Sequence, residues 1–441
     1  MMNNNNIEES LKLVLQLINN KKFKEALEIV NKSSIINKDI KIYNKLFSNI
    51  YFKKGDWQKS IDYFHKRLTL EKIKYGILNN IGVAYFNLGK IQQSIKFFKE
   101  SIKENCNFDL AYENLGISYK EIGLYTQALN SFVKVLKINK NNLSAKENLI
   151  SIFNVVKPQN KDSHPIIECN SKISNLTNNV LIDKSISTSQ IKKFLEKTEN
   201  IINSYEQYFI CKETQIFRKN SSNLNCGRHF KVFNEFKVIP KYCFNCYKIQ
   251  IELINVVDLI RLYFLFDNII LKKNNIRKCI IETRDNVKSN YKGYIYCDGL
   301  DEAKDILNTT KKYISKLGLS NHKIFIKHGC SEFAEEHPKY KLINLSGPQE
   351  MNFDENWTKN EKIVDDREIK RSKPDEKIFD ETLKGINLYD IFIIKNWLNY
   401  AKIIGDNSYK LIYEKKLYES FLNDLLKNQI QFRNKELILK K

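Results

Sequence analysis

A spacing of 34 residues runs through the first third of the chain and limits what that third can fold into. Gly55, Gly89 and Gly123 stand 34 apart, as do Tyr51, Tyr85 and Tyr119 and the series Val30, Phe64, Phe98 and Phe132. Ala26, Ser60, Ser94 and Ala128 place a small residue at one position of this register, and Phe23, Trp57, Ile91 and Tyr125 a large one at another. Each unit holds two apolar patterns of helix length, broken by a turn that carries the glycine. The small residue lets the second helix approach the first, and the large apolar ones fill the wedge between them. A helix pair cannot bury its apolar face alone, so the pairs are expected to stack into a superhelix.

The register resembles the tetratricopeptide repeat family, whose pattern is W-x2-L-G-x2-Y followed by G-x-Y-x2-A-x3-F. The fullest copy is Tyr112, Leu115, Gly116, Tyr119, Gly123, Tyr125, Ala128 and Phe132. A second copy keeps Gly82, Tyr85, Gly89 and Phe98, and the one before it Tyr51, Gly55, Trp57 and Phe64. A degenerate copy over residues 7–39 has Lys21 where the glycine belongs, and residues 143–156 read as a capping helix, giving a repeat domain over 7–156. The resemblance implies a superhelix that binds a peptide or partner protein along the face formed by the first helices. An asparagine recurs there at Asn80, Asn114 and Asn148, and the same register adds Asn49, Phe86 and Lys120 as groove positions. An amide both donates and accepts, so such a ladder suits an extended peptide backbone.

Charge says less about partners than its size suggests. Lys+Arg 73 against Asp+Glu 51 gives +22, a balance that invites a polyanion, yet only 9 of the basic residues are Arg, the side chain that grips phosphate bidentately. The excess is also even, +11 in residues 1–157 and +11 in the remaining 284. The opening MMNNNNIEES has neither a basic nor an apolar leader region. The apolar stretch from Glu252 to Leu271 is interrupted by Asp258, Arg261 and Asp267, so no membrane insertion is expected. Nine cysteines without a leader point to a reducing, cytoplasmic setting.

Residues 157–190 are polar and lack a period, hence a linker; residues 191–345 then form a cysteine-rich α+β domain. Alternation marks strands at residues 247–252, 279–283, 291–297 and 322–328, and helical spacing marks 256–269 and 300–317. The order βαββαβ is that of a ferredoxin-like fold, two helices covering one sheet face and leaving the other open. Residues 346–385 read as a charged linker and 386–435 as C-terminal helices, with Ile391, Ile394, Trp397, Leu398, Leu411, Tyr418, Leu422 and Leu426 on their apolar faces.

Sulfur converges on one rim of the expected sheet. Cys226-x2-His229 and Cys243-x2-Cys246 are two pairs with ligand spacing, and Cys297 and Cys330 end or follow strands at the same edge. Zinc or an iron–sulfur cluster is the metal chemistry this set admits; thiol chemistry and plain burial are the alternatives. The open face would carry Lys248, Gln250, Glu252, Glu282, Arg284, Tyr294, Tyr296, Phe325 and Lys327. Its third strand, Lys292 to Tyr296, is similar to the RNA recognition motif, which implies Tyr294 and Tyr296 as base platforms, although Ile249 stands where the first strand would need an aromatic. Arg228, His229, His328 and Glu332 are the residues from which an acid–base site would be assembled.

The expectation for the whole is multidomain: an all-α tetratricopeptide superhelix, an α+β domain, then helices. Its leading function is protein–protein interaction through the repeat groove. A metal- or thiol-dependent enzyme that recruits substrate through the repeats is the first alternative, and an RNA-binding adaptor the second.

Overall fold

The computed structural model describes residues 4–33, 39–159, 164–180, 187–205, 211–285, 287–319, 322–370, 381–417 and 420–439. The chain divides into two units, one built on Met1–Leu149 and the other on Ile150–Asp366 with Phe379–Lys441.

In the first unit the 34-residue register becomes helix pairs: Asn4–Asn19 with Phe23–Lys32, Ile40–Lys54 with Trp57–Leu70, Tyr75–Asn87 with Ile91–Glu104, and Asp109–Glu121 with Tyr125–Ile138. A further helix, Leu143–Ile152, follows them. The turn between partners requires a left-handed residue, and Gly55, Gly89 and Gly123 take φ of 81°, 76° and 76°. Lys21, at the same place in the degenerate copy, is forced to φ 59°, where a Cβ is disfavoured. The small residues Ala26, Ser60, Ser94 and Ala128 are fully buried at the crossings, against Val30, Phe64, Phe98 and Phe132 one turn on. Where the small residue is Ser, its hydroxyl turns back to its own helix: Ser60 Oγ donates to Trp57 O and Ser94 Oγ to Ile91 O.

The second unit is organised by a five-stranded antiparallel sheet: β1 (Gln215–Arg218), β2 (Cys246–Leu253), β3 (Arg277–Ile281), β4 (Tyr291–Asp298) and β5 (Lys323–His328), in the order β1-β3-β4-β2-β5. The Val256–Asn268 helix joins β2 to β3, and Leu300–Lys316 joins β4 to β5. Ile249, Ile251, Ile295 and Cys279 are buried on the helix side. Gly293 lies among them because a Cβ there would sit 2.3 Å from Leu262 of the first helix.

Three sequence expectations change here. Residues 165–180, read as linker, form a helix whose Ile166, Ile167, Cys169 and Ile173 are buried. The short β1 extends the sheet beside β3, and a Cys226–Phe236 helix precedes β2. The charged stretch 346–385 contains a helix at Thr358–Lys370, held through Arg228 by Glu361 and Asp365. The tail is structural: Leu388–Ile404 is buried along most of its length, with Trp397 Nε1 donating to Thr214 O at 2.9 Å. Asp406 accepts from Val256 N and Tyr291 Oη, and Arg433 donates to Val287 O and Arg284 O. Tyr418 lies outside the described residues.

The repeat packing yields a test. A Cβ at Gly116 would meet the buried Phe132 ring at 2.7 Å. Gly116→Ala gains helix propensity of about 1 kcal/mol but overpacks the crossing at a cost of about 1–3 kcal/mol. Amide hydrogen exchange should therefore show lost protection in Asp109–Glu121 and Tyr125–Ile138, and adding Phe132→Leu should cost less than the two single changes summed. Unchanged or raised protection in Gly116→Ala would refute the tight crossing.

Candidate functional site

Two places carry the residues singled out by sequence. In the repeat unit, Asn80, Asn114 and Asn148 fall at equivalent positions of successive first helices, each partly buried. Their amides are wired along the stack. Asn114 Nδ2 donates to Oδ1 of the buried Asn79 at 2.9 Å, and Lys120 Nζ donates to Asn148 Oδ1 at 3.0 Å, while Asn148 Nδ2 donates to Ser144 O. Asn79 is therefore a bridge between helices and not a groove side chain. Phe86 packs partly buried against the Ile91, Ile95 and Phe98 cluster, and Asn49 is half-buried on Ile40–Lys54.

The second place is the sheet face away from the two connecting helices. The register puts Lys248 opposite Tyr296 and Lys327, Gln250 opposite Tyr294 and Phe325, and Lys278 opposite Tyr294 and Phe217. This face is not open, as the sequence suggested. Segment 222–226 and Phe230 wall a cavity of 480 Å³ over it, with Ser331 and Glu332 at another side. Tyr294 is only 5% exposed, and burial pushes its hydroxyl pKa up. Lys278 Nζ lies over the Tyr294 ring at 5.5 Å and Lys248 Nζ over Tyr296 at 5.1 Å. Both rings already carry a cation, so they are not the exposed platforms that base stacking calls for.

Charge in the cavity is unequal. Glu282 is ion-paired with Arg284 and Lys292; against the cost of its burial, their hydrogen bonds and charge hold its pKa down at about 2. Glu332 accepts from Arg284 at 2.8 Å. Lys278 and Lys327 have no such partner among the described residues, and burial, with the charge of Lys248 next, lowers each pKa to about 8.

Four of the rim cysteines lie near one another, and Cys297 faces the other side of the sheet. Cys226, Cys246 and Cys330 share the surroundings of Lys248, whose Nζ donates to Cys330 Sγ at 3.3 Å. Cys243 is buried in the apolar cluster of Phe233, Ile239, Phe333 and Tyr340, against which Cys330 also packs, and Cys246, Cys330 and Cys226 are near enough to add to the effect of burial in raising its pKa. Cys297 pairs in register with Tyr247 and so points to the helix side, one residue out of phase with Cys246. His229 is buried and stacks on Tyr242 at 5.2 Å. Among the described residues no group of three or more His, Cys, Asp or Glu side chains is placed to hold a metal ion, so the zinc and iron–sulfur expectations find no ligand set there. Burial pushes the Cys246 and Cys297 thiols up to about 11 and about 12, which leaves little thiolate for nucleophilic chemistry. The acid–base group does not assemble: Arg228 pairs with Asp365, Glu332 with Arg284, and both ring nitrogens of His328 face the carbonyls of Tyr340 and Phe244. Lys278 was missed in the sequence because β3 starts earlier than its alternation indicated; Gln215 and Phe217 were missed because β1 has only 4 residues.

Residues 75–105 and 110–142 match the tetratricopeptide repeat family model, and the N-terminal stack is a tetratricopeptide repeat region. The first such domain of Spaghetti (RPAP3), solved with an HSP90 peptide, is similar at 24% identity, covering 25% of this chain and 89% of that one, with a TM-score of 0.25. The second domain of human RPAP3, solved with an HSP70 peptide, is similar at 21% identity, covering 26% and 94%, TM-score 0.25. Pseudomonas aeruginosa PilF is similar at 14% identity, covering 45% and 87%, TM-score 0.32. No curated protein matches the chain. Among the described residues no helix is long and apolar enough to cross a membrane.

Unpaired buried charge costs stability, and the cost has a pH signature. Protonated Lys278 and Lys327 are penalised in the folded state below about pH 8, whereas the unfolded chain keeps them protonated up to the ordinary 10.5. The Lys278→Met, Lys327→Met variant should thus be more stable than the parent at pH 7, by on the order of 1–2 kcal/mol after allowing for partial exposure and two lost hydrogen bonds. The gain should shrink as pH rises from about 8 toward 10.5. Denaturant titrations of both proteins across that range measure it, and a destabilised variant at pH 7 would show the lysines to be structural.

Proposed function

We propose that the repeat unit is a docking module for an extended peptide or an unfolded segment of a partner protein. The observation that carries this is the equivalence of Asn80, Asn114 and Asn148 on three successive first helices, with amides oriented by bonds to Asn79, Lys120 and Ser144. An asparagine side chain has two donor hydrogens and two acceptor lone pairs, the complement of what an extended backbone presents. Asn49, Phe86 and Lys120 extend the same surface with amide, apolar and cationic contacts.

The second unit is, in this proposal, an elaborated ferredoxin-like domain. Without β1 its strands run β5-β2-β4-β3, all antiparallel, with a helix in each crossover. The protein would act as an adaptor whose second unit acts on, or responds to, what the repeats capture. Nine cysteines, all free, fit a reducing compartment such as the cytoplasm.

The test is selection of a displayed random-peptide library on the immobilised full chain. Enriched peptides should bind the parent and lose at least about tenfold in affinity, roughly 1.4 kcal/mol, to the Asn80→Ala, Asn114→Ala, Asn148→Ala variant. Circular dichroism checks that the variant keeps its helices. No enrichment, or equal affinity for the folded variant, would reject the groove.

A further inference from the structure

The cavity over the sheet is where the fold leaves charge unanswered. Its lining holds five cationic side chains and two carboxylates. Both carboxylates are engaged, Glu282 by Arg284 and Lys292 and Glu332 by Arg284. Among the described residues, Lys248, Lys278 and Lys327 have neutral partners only. Lys248 donates to Gly329 O at 3.1 Å and to Cys330 Sγ, Lys278 to Gln215 Oε1 at 3.1 Å, and Lys327 to Ser331 Oγ at 2.6 Å. An ammonium group has three donors, so each keeps protons to give.

A second feature points the same way. The Cys226–Phe236 helix begins at the wall of this cavity, where Asn225 and Cys226 line it. Asn225 makes no side-chain bond to the first turn, so the usual N-cap contact is missing at that end. The positive end of the helix thus adds to the lysines.

We propose that this cavity binds a small phosphorylated molecule, its phosphate held by Lys248, Lys278 and Lys327 beside the start of the Cys226–Phe236 helix. A phosphomonoester carries about −1.5 to −2 near neutral pH and offers three strong acceptor oxygens. That matches an excess of three cations better than the single charge of a carboxylate. The remaining walls combine Phe217, Leu224 and Phe230 with Ser222, Asn223 and Thr283, a mixture suited to a sugar or similar polar body. The volume of 480 Å³ falls within the range of small-molecule sites. A nucleic-acid strand fits less well, because the lysines occupy the ring faces on which bases would stack. The proposal is independent of what the repeats bind.

Calorimetric titration of the full chain with ribose 5-phosphate, ribose and inorganic phosphate tests it. Ribose 5-phosphate should bind, ribose should not, and inorganic phosphate should compete. The Lys278→Met, Lys327→Met variant should lose at least about tenfold in affinity for ribose 5-phosphate while remaining folded by circular dichroism. Line broadening of the ligand's phosphorus resonance gives a second readout, present with the parent and absent with the variant. No binding of ribose 5-phosphate, equal binding of ribose, or unchanged affinity in the variant would each overturn the proposal. Tight binding of a single-stranded RNA with none of ribose 5-phosphate would overturn it in favour of a polyanion surface.

Discussion

The second unit depends on one buried charge. Arg218, at the end of β1, donates to Asp267 at 2.6 Å, to Asp390 at 3.1 Å and to Tyr263 Oη at 2.6 Å, and all four side chains are almost wholly inaccessible. Asp267 closes the Val256–Asn268 helix; Asp390 sits in the first turn of Leu388–Ile404, where a negative charge is favoured. Gly385 joins from both sides, its carbonyl accepting from Arg218 and its N–H donating to Asp267. A buried ion pair gains little over an apolar replacement, but a partner removed leaves a stranded charge costing about 3–5 kcal/mol. The arginine therefore specifies how an edge strand, a sheet helix and the tail meet more than it adds net stability.

Against that charge-paired centre the cavity on the opposite sheet face stands out. Both regions bury cations, yet Arg218 finds two carboxylates while Lys278 and Lys327 find an amide and a hydroxyl. Evolution of a fold for stability alone would not gather like charges where solvent is partly excluded, and sites kept for binding are where such costs are met. The thiols around Lys248 belong to the same setting. Cys330 gives the lysine a soft acceptor, and Cys226 lies in the same surroundings.

The sequence was most informative where its period was long. Four recurrences at 34 residues leave little freedom, and helices, turn glycines and small crossing residues appear where that register put them. Alternation located four strands of the sheet but could not say what lies over a face, so the polar face was expected to be open. The wall comes from residues 222–226 and Phe230, far from the strands in pattern though not in space. The Pro165–Val180 helix escaped because its apolar residues are separated by Asn and Ser and its start is a proline, which resembles a linker. The cysteine set was legible as spacing but not as direction. One residue of phase sends Cys297 to the helix side and Cys246 to the lysine side, and a turn sends Cys243 into the aromatic cluster.

The two units also differ in how far along the chain their bonds reach. Among the described residues of the repeats, hydrogen bonds between helices are short in reach, as from Asn114 to Asn79, 35 apart, or Lys120 to Asn148, 28 apart. In the second unit, Leu388 N bonds to Asn170 across 218 residues, Arg218 to Asp390 across 172, and Asn290 to Arg433 across 143. Local contacts form early and long-range ones wait for loop closure. On the ribosome, the repeats can therefore assemble pair by pair as they emerge, whereas the second unit cannot make the bonds of its tail until the segment from Leu388 to Arg433 has left the tunnel. A ribosome stalled before the tail would thus present a finished repeat stack attached to an unfinished domain.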